Sequence, residues 1–350
     1  MVSLVTHWWV TKPTHFFFLM QTMKQQIRAK LAAAAAVGAG CCAGASAINE
    51  QIVSARAERL ERLRDCEEHT WQPRVTAADH AAQSTLAGPM VVEGLIDAWP
   101  ARLWTFENLR KRLAHTLVDT GSASGGVPFY LVAHNAVAPG PGRHDLALYV
   151  FDANFESDAA LESLLADWAP LSSIAGADVF RSESISGRTD RPSWRWLLAG
   201  PPGSGTPVHQ DPWGYSSWNA SCFGVKRWVL FPPEVSHATL HPPRRDLVGR
   251  AFAWAFGHEL PRSAAGFMDE VLPSLRLAGL GHVELLQGPG EVVAFPAGWW
   301  HAVVNLTPTI AVTESFGRPC DLDKILAKLC AGGLGALAAE VEEAERRRGG

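Results

Sequence analysis

From residue 127 to residue 316 the chain breaks into short strand-like runs: VPFYLVA, LALYVF, WRWLLAG, SSWNASCFG, KRWVLFP, HVELLQ, EVVAFP, HAVVNL and TIAVTESF. Pro, Gly, Asn and Asp cluster between them and supply the turns. Many short strands with such punctuation predict an antiparallel sandwich or barrel. An earlier run, GPMVVEGLIDAWPA at 88–101, adds a strand closed by a Trp-Pro turn. No segment repeats, which argues against a solenoid or propeller.

Helical spacing is found at the flanks. Residues 50–68 place Ile52, Ala55, Leu60 and Leu63 on one periodic face, and WTFENLRKRLAHTL at 104–117 reads as an amphipathic helix opening at Thr105 with Glu107 behind it. The tail from Asp321 to Arg348 reads helical, broken at AGGLG, while 236–281 is irregular and reads as an insertion between strands. This divides the chain into a leader-like segment (1–49), a helical segment (50–84), a β-rich domain (85–320) and a helical tail (321–350).

Hydrophobic residues make up 47% and charged residues 19%, enough apolar side chain for a sizeable packed core. The net charge of −4 gives no strong nucleic-acid signal. Cys41, Cys42, Cys66, Cys222, Cys320 and Cys330 form no C-x-x-C pair, so neither a zinc ribbon nor a redox motif is expected. No Asp or Glu occurs before Glu50, and basic residues precede LAAAAAVGAGCCAGASA. That pattern reads as a secretory leader starting at Met23, as an organelle transit segment, or as a plain Ala-rich helix; Met1, Met20 and Met23 are all candidate starts. The run is too short and too rich in Ala and Gly for a convincing transmembrane helix. Removing 1–49 is expected to leave the folded domain and its function unchanged.

The stretch GPPGSGTPVHQD at 200–211 offers two incompatible readings. Gly200 and Gly205 have the spacing of a phosphate-binding loop, but Thr206 stands where that loop needs its lysine and Pro207 removes a backbone N–H. The nucleotide reading fails on both counts. The other reading is metal binding. In extended chain, His209 and Asp211 share a face, and His301 follows 90 residues beyond Asp211 at the head of an apolar strand. Two histidines and one carboxylate form the facial triad of non-haem Fe(II) oxygenases, which leaves positions open for a cosubstrate and O2. On residue type alone, Lys226 also reads as a solvated strand lysine, Asn219 as a turn residue and Tyr149 as a core aromatic.

The blocks GPPGSGTPVHQDPWGYSSWNASCFGVKRWVLFPPE and GPGEVVAFPAGWWHAVVNLTPTIAVTESF resemble the JmjC-domain Fe(II)/2-oxoglutarate oxygenases. Within them the chain is most similar to the lysyl-hydroxylase-type, phosphatidylserine-receptor-like branch. The resemblance is dense over about residues 194–316 and looser back to about residue 85. It implies a mainly β fold with flanking helices, a cupin-like double-stranded β-helix or jelly roll. Fe(II) would then be held by His209, Asp211 and His301, with Lys226 on the far carboxylate of 2-oxoglutarate. Thr206, Asn219, Tyr149 and Thr313 would line the same pocket. The implied activity is hydroxylation of a protein side chain, lysyl or similar, with release of succinate and CO2, so the partner would be a protein or peptide. Oxidation at an N-methyl carbon would instead make the same site a lysine or arginine (histone) demethylase. A catalytically silent cupin-type binding protein is the rival from another class.

Asn219 and Asn305 both head glycosylation sequons inside the expected barrel. That favours a cytoplasmic, nuclear or organellar location over the secretory lumen.

Overall fold

The computed structural model describes residues 74–82, 86–121, 126–137, 148–155, 158–244 and 262–349. The leader-like segment, the periodic stretch 50–68 and the middle of the 236–281 insertion lie outside these residues. Thirteen strands are described. The first five are β1 (Arg74–Thr76), β2 (Met90–Glu93), β3 (Leu117–Val118), β4 (Val127–Pro128) and β5 (Val150–Asp152). Next come β6 (Arg195–Gly200), β7 (Gly205–His209), β8 (Ser216–Phe223) and β9 (Lys226–Phe231). The last four are β10 (Val283–Gln287), β11 (Val292–Phe295), β12 (Trp300–Asn305) and β13 (Thr309–Phe316).

They form a seven-stranded sheet, β1-β2-β11-β8-β13-β6-β5, and a four-stranded sheet, β10-β9-β12-β7, with β3 and β4 as a separate ribbon. Every strand pair but β1–β2 is antiparallel. The expected jelly roll is what forms.

Alternation along the strands assigns the faces. Trp218, Ala220, Ile310, Val312 and Leu197 pack outward with Phe106, Leu109, Leu113, Phe129 and Val132 of the flanking helices. Trp99, Trp168 and Trp218 meet there with ring centroids about 6 Å apart. The outer face of the smaller sheet packs Val229, Phe231 and Ala302 against Phe267, Val271 and Leu272 from the C-terminal part of the insertion. A third cluster joins strands of both sheets through Val91, Trp228, Leu285, Val293, Phe295 and Val303. The side chains Ser217, Asn219, Thr313 and Ser315 alternate with the outward set and so share the inner face.

Two expectations need correction. VPFYLVA is not a strand: only Val127–Pro128 pairs, and Phe129–Val137 is a helix. Its buried residues, Phe129, Val132, Ala133 and Ala136, follow helical spacing, which a short apolar run disguises. The sheet also starts before residue 85, because Arg74–Thr76 adds a parallel edge strand. Arg74 anchors it, donating to both Glu291 oxygens and to the Leu286 carbonyl. The helix expected to open at Thr105 is present over Phe106–Leu113, and its capping box closes on Asn108. The tail forms two helices, Leu322–Ala331 and Gly335–Gly349, separated at the glycines as expected. Among the described residues no helix is long and apolar enough to cross a membrane.

The turn from β8 to β9, which delivers Lys226 to the interior, depends on Gly224. Its φ is +80°, and a Cβ there would overlap the Pro308 carbonyl. Gly224→Ala is therefore expected to cost about 1–3 kcal/mol of stability. Urea unfolding would read this, and an unchanged midpoint would refute it.

Candidate metal and cosubstrate site

His209 and His301 end up side by side because β7 and β12 pair with these two residues directly opposed. The register then slips: Val303 faces Thr206, so two steps on β12 match three on β7. This bulge turns Thr206 and His209 to the same side of β7 although they are three residues apart. Pro207, which cannot donate to a ladder, sits at the irregularity. The strand ends at His209, and Asp211 follows in extended backbone with φ −62° and ψ 140° before a short 3-10 turn.

His209, Asp211 and His301 bring one ligand atom each to within 4.8 Å of one another. Nδ1 of His209 lies 2.7 Å from the Pro207 carbonyl, and Nδ1 of His301 lies 3.2 Å from that of Trp299. A carbonyl can only accept, so both rings carry their proton on Nδ1 and present the Nε2 lone pair inward. Each Nε2 faces Oδ1 of Asp211, at 3.6 Å from His209 and 3.7 Å from His301. His301 is wedged between Phe295 and Trp228, at centroid distances of 4.5 and 6.1 Å. Burial and the neighbouring His209 push its imidazole down to about 4. Burial alone would raise the Asp211 carboxyl, but the two imidazoles and the Ser217 hydroxyl hold it at about 2. The group is thus an ionised carboxylate beside two inward lone pairs, a donor set that fits a divalent transition metal.

Lys226 is fully buried at the start of β9. Its Nζ donates to Asn305 Oδ1 at 3.0 Å, lies 3.5 Å from Thr309 Oγ1 and sits 6.0 Å from the centre of the Tyr149 ring. Among the described residues no carboxylate pairs with it, and burial pushes its ammonium down to about 7. Asn305 and His301 share the inner face of β12, about 13 Å apart along the strand. A metal at one end and an ammonium at the other suit a short dicarboxylate between them. Asn219 is buried, and its Oδ1 has no hydrogen-bond partner among the described residues. Tyr149, held by Thr206, has its phenol pushed up to about 12 by burial. Thr313 lies opposite Asn219 on the next strand, but its hydroxyl is committed to the Trp218 carbonyl at 2.5 Å.

All eight sequence-derived site residues therefore fall on or beside the inner faces of the two sheets. Sequence reasoning missed Asn305 as a pocket residue, having read it only as a sequon. Its Oδ1 accepts from Lys226 and its Nδ2 donates to Ser204. Ser217 and Ser315 were missed too. Trp299 and Trp300, beside His301, pack against hydrophobic clusters. Cys222, Cys320 and Cys330 are free.

Residues 196–316 match the domain family described as "JmjC domain, hydroxylase". The bifunctional arginine demethylase and lysyl-hydroxylase psr-1 of Caenorhabditis elegans is 32% identical over 239 residues, 65% of this chain and 55% of the relative. The arginine-specific demethylase JMJ22 of Arabidopsis thaliana is 31% identical over 243 residues, covering 68% and 43%. The 2-oxoglutarate and iron-dependent oxygenase JMJD4 of Mus musculus is 32% identical over 133 residues, covering 37% and 27%. The chain spans about half the length of the psr-1 relatives it matches, and less of the others. With the two-sheet jelly roll and the His-Asp-His cluster already in place, the match over 196–316 identifies that stretch of the chain as a JmjC domain.

Proposed function

We propose that the chain is an Fe(II)- and 2-oxoglutarate-dependent oxygenase that hydroxylates a protein side chain, lysyl or similar, releasing succinate and CO2. The observation that carries the reading is the pairing of the His209–Asp211–His301 cluster with a buried Lys226 that has no carboxylate partner among the described residues. A jelly roll that only binds other molecules has no reason to keep a costly buried ammonium beside a metal-ligand cluster.

In this reading His209, Asp211 and His301 hold Fe(II), and Lys226 holds the far carboxylate of 2-oxoglutarate. When bound, the metal supplies the oxidation of a substrate C–H bond by O2, coupled to decarboxylation of the 2-oxo acid. The chain's residues bind and orient. Asn305 fixes the Lys226 ammonium in direction. Asn219 Oδ1 and the Tyr149–Thr206 pair offer polar contacts along the pocket. The Trp228–Phe295 wall keeps water from His301. Purified protein with iron, ascorbate and a lysine- or arginine-containing peptide is expected to form succinate from 2-oxoglutarate. A gain of one oxygen on the peptide, read by mass spectrometry, marks hydroxylation. No succinate from correctly folded, metal-loaded protein over a broad peptide library would sink the oxygenase reading.

N-methyl demethylation is the second reading, supported by the demethylase names of psr-1 and JMJ22. The same site would perform it on a methylated lysine or arginine, and formaldehyde release distinguishes it. For location we favour the cytoplasm, nucleus or an organelle over the secretory lumen. Asn219 and Asn305 are 2% and 1% exposed, so a glycan on either is incompatible with this fold. Microscopy of tagged protein tests that, and lumenal, glycosylated protein would overturn it.

A further inference from the structure

Asp211 stands outside the sheet, and its own turn does not hold it. An aspartate just before a helical turn usually accepts from the turn's free N–H groups. Asp211 makes no such bond. Its direction comes from the larger sheet instead. Ser217, on β8, donates its hydroxyl to Oδ2 of Asp211. Oγ of Ser217 also lies 2.9 Å from Oγ of Ser315, the residue directly opposite on β13. Each hydroxyl carries one proton. Ser217 gives its proton to the carboxylate, so Ser315 must give its own to Ser217. The bonds run one way, from Ser315 through Ser217 to Asp211. Both serines are 3% exposed, so bulk water does not compete for either.

The consequence lies at the other carboxylate oxygen. With Oδ2 engaged by Ser217, Oδ1 alone faces the two imidazole nitrogens. We propose that Ser217, held in turn by Ser315, is a positioning residue that restricts Asp211 to metal binding through Oδ1. This rests on the metal-site reading above. Single-oxygen binding matters because an octahedral ion held by two imidazoles and one oxygen keeps three open positions. A carboxylate bound through both oxygens leaves one fewer than a chelating 2-oxo acid and O2 need together. Two serines that merely satisfied each other's hydrogen bonds would have no effect on the metal.

The test is Co(II) titration of the metal-free full-length protein, followed by visible absorption, with a thermal melt of each variant. Ser217→Ala is expected to weaken Co(II) binding by about ten- to a hundredfold, the usual effect of losing a residue that orients a ligand, and to alter the cobalt bands. Ser217→Thr keeps the hydroxyl and should restore both. Ser315→Ala, one bond further away and with Ser217 intact, should weaken binding by a smaller factor. If Ser217→Ala fails to fold, Ser315→Ala decides alone. Wild-type cobalt affinity and spectrum in folded Ser217→Ala, or failing that in Ser315→Ala, would overturn the relay. Asp211→Ala separates the two readings: if it too keeps cobalt, the metal site itself is wrong. If it loses cobalt while Ser217→Ala does not, only the relay falls.

Discussion

Alanine at His209 or at Asp211 is expected to abolish metal binding and turnover and to leave the fold intact. His209 and Asp211 lie at the end of β7 and just past it, partly exposed, and neither belongs to a hydrophobic cluster. Either substitution removes one of the three ligand atoms without opening a cavity. His301 differs. It is 5% exposed and packed between Phe295 and Trp228, so His301→Ala should lose the metal and also cost about 1–3 kcal/mol of stability through lost packing. Metal titration and thermal melts on the three variants would read both effects. A His209→Ala protein that turns over normally at limiting iron would remove the triad assignment. Equal melting losses in all three variants would contradict the difference in packing.

Much of this arrangement is legible in the sequence, and the exceptions have physical causes. The strands from Arg195 to Phe316 could be read because each alternates one face toward a hydrophobic cluster and one inward. The triad could be read because ligand chemistry restricts residue type so tightly. What pattern reading could not supply is register. The bulge that aims Thr206 and His209 to one side depends on how β7 meets β12, a non-local event that a period of two hides. Ser217 and Ser315 are unremarkable serines until β8 and β13 place them opposite each other. Asn305 reads only as a sequon inside the barrel because nothing nearby in sequence shows that Lys226 pairs with it across the sheet. The helix Phe129–Val137 was misread because a short apolar run satisfies both periods.

Lys226→Ala is expected to raise the 2-oxoglutarate concentration needed for half-maximal succinate formation by about ten- to a hundredfold. The missing charge-assisted bond is worth about 1.5–3 kcal/mol, and about 1.4 kcal/mol is a factor of ten. Metal affinity should stay as it was, because Lys226 is not a ligand. The same lysine also predicts a pH dependence whose sign is fixed. Burial lowers its pKa from 10.5 to about 7. Above about 7 the ligand-free pocket holds mostly neutral amine, whereas the unfolded chain keeps the proton up to 10.5. Two effects follow. The ligand-free protein gains stability from this group as pH rises through that window. Binding the dicarboxylate must recapture a proton, so its apparent affinity is level below about 7 and falls above it, by up to about tenfold per pH unit. The other titratable side chains beside the ammonium stay neutral there, since burial pushes the Tyr149 phenol and the Cys222 thiol up to about 12. Lys226→Arg isolates the cause. A guanidinium stays charged throughout, so its 2-oxoglutarate dependence should be weaker than wild type at low pH, because the planar fork fits a lysine slot poorly, yet flat with pH. A wild-type affinity that does not change from about pH 6 to about pH 9 would show that the buried amine never loses its proton. An unchanged cosubstrate requirement in Lys226→Ala would show that the carboxylate is held elsewhere.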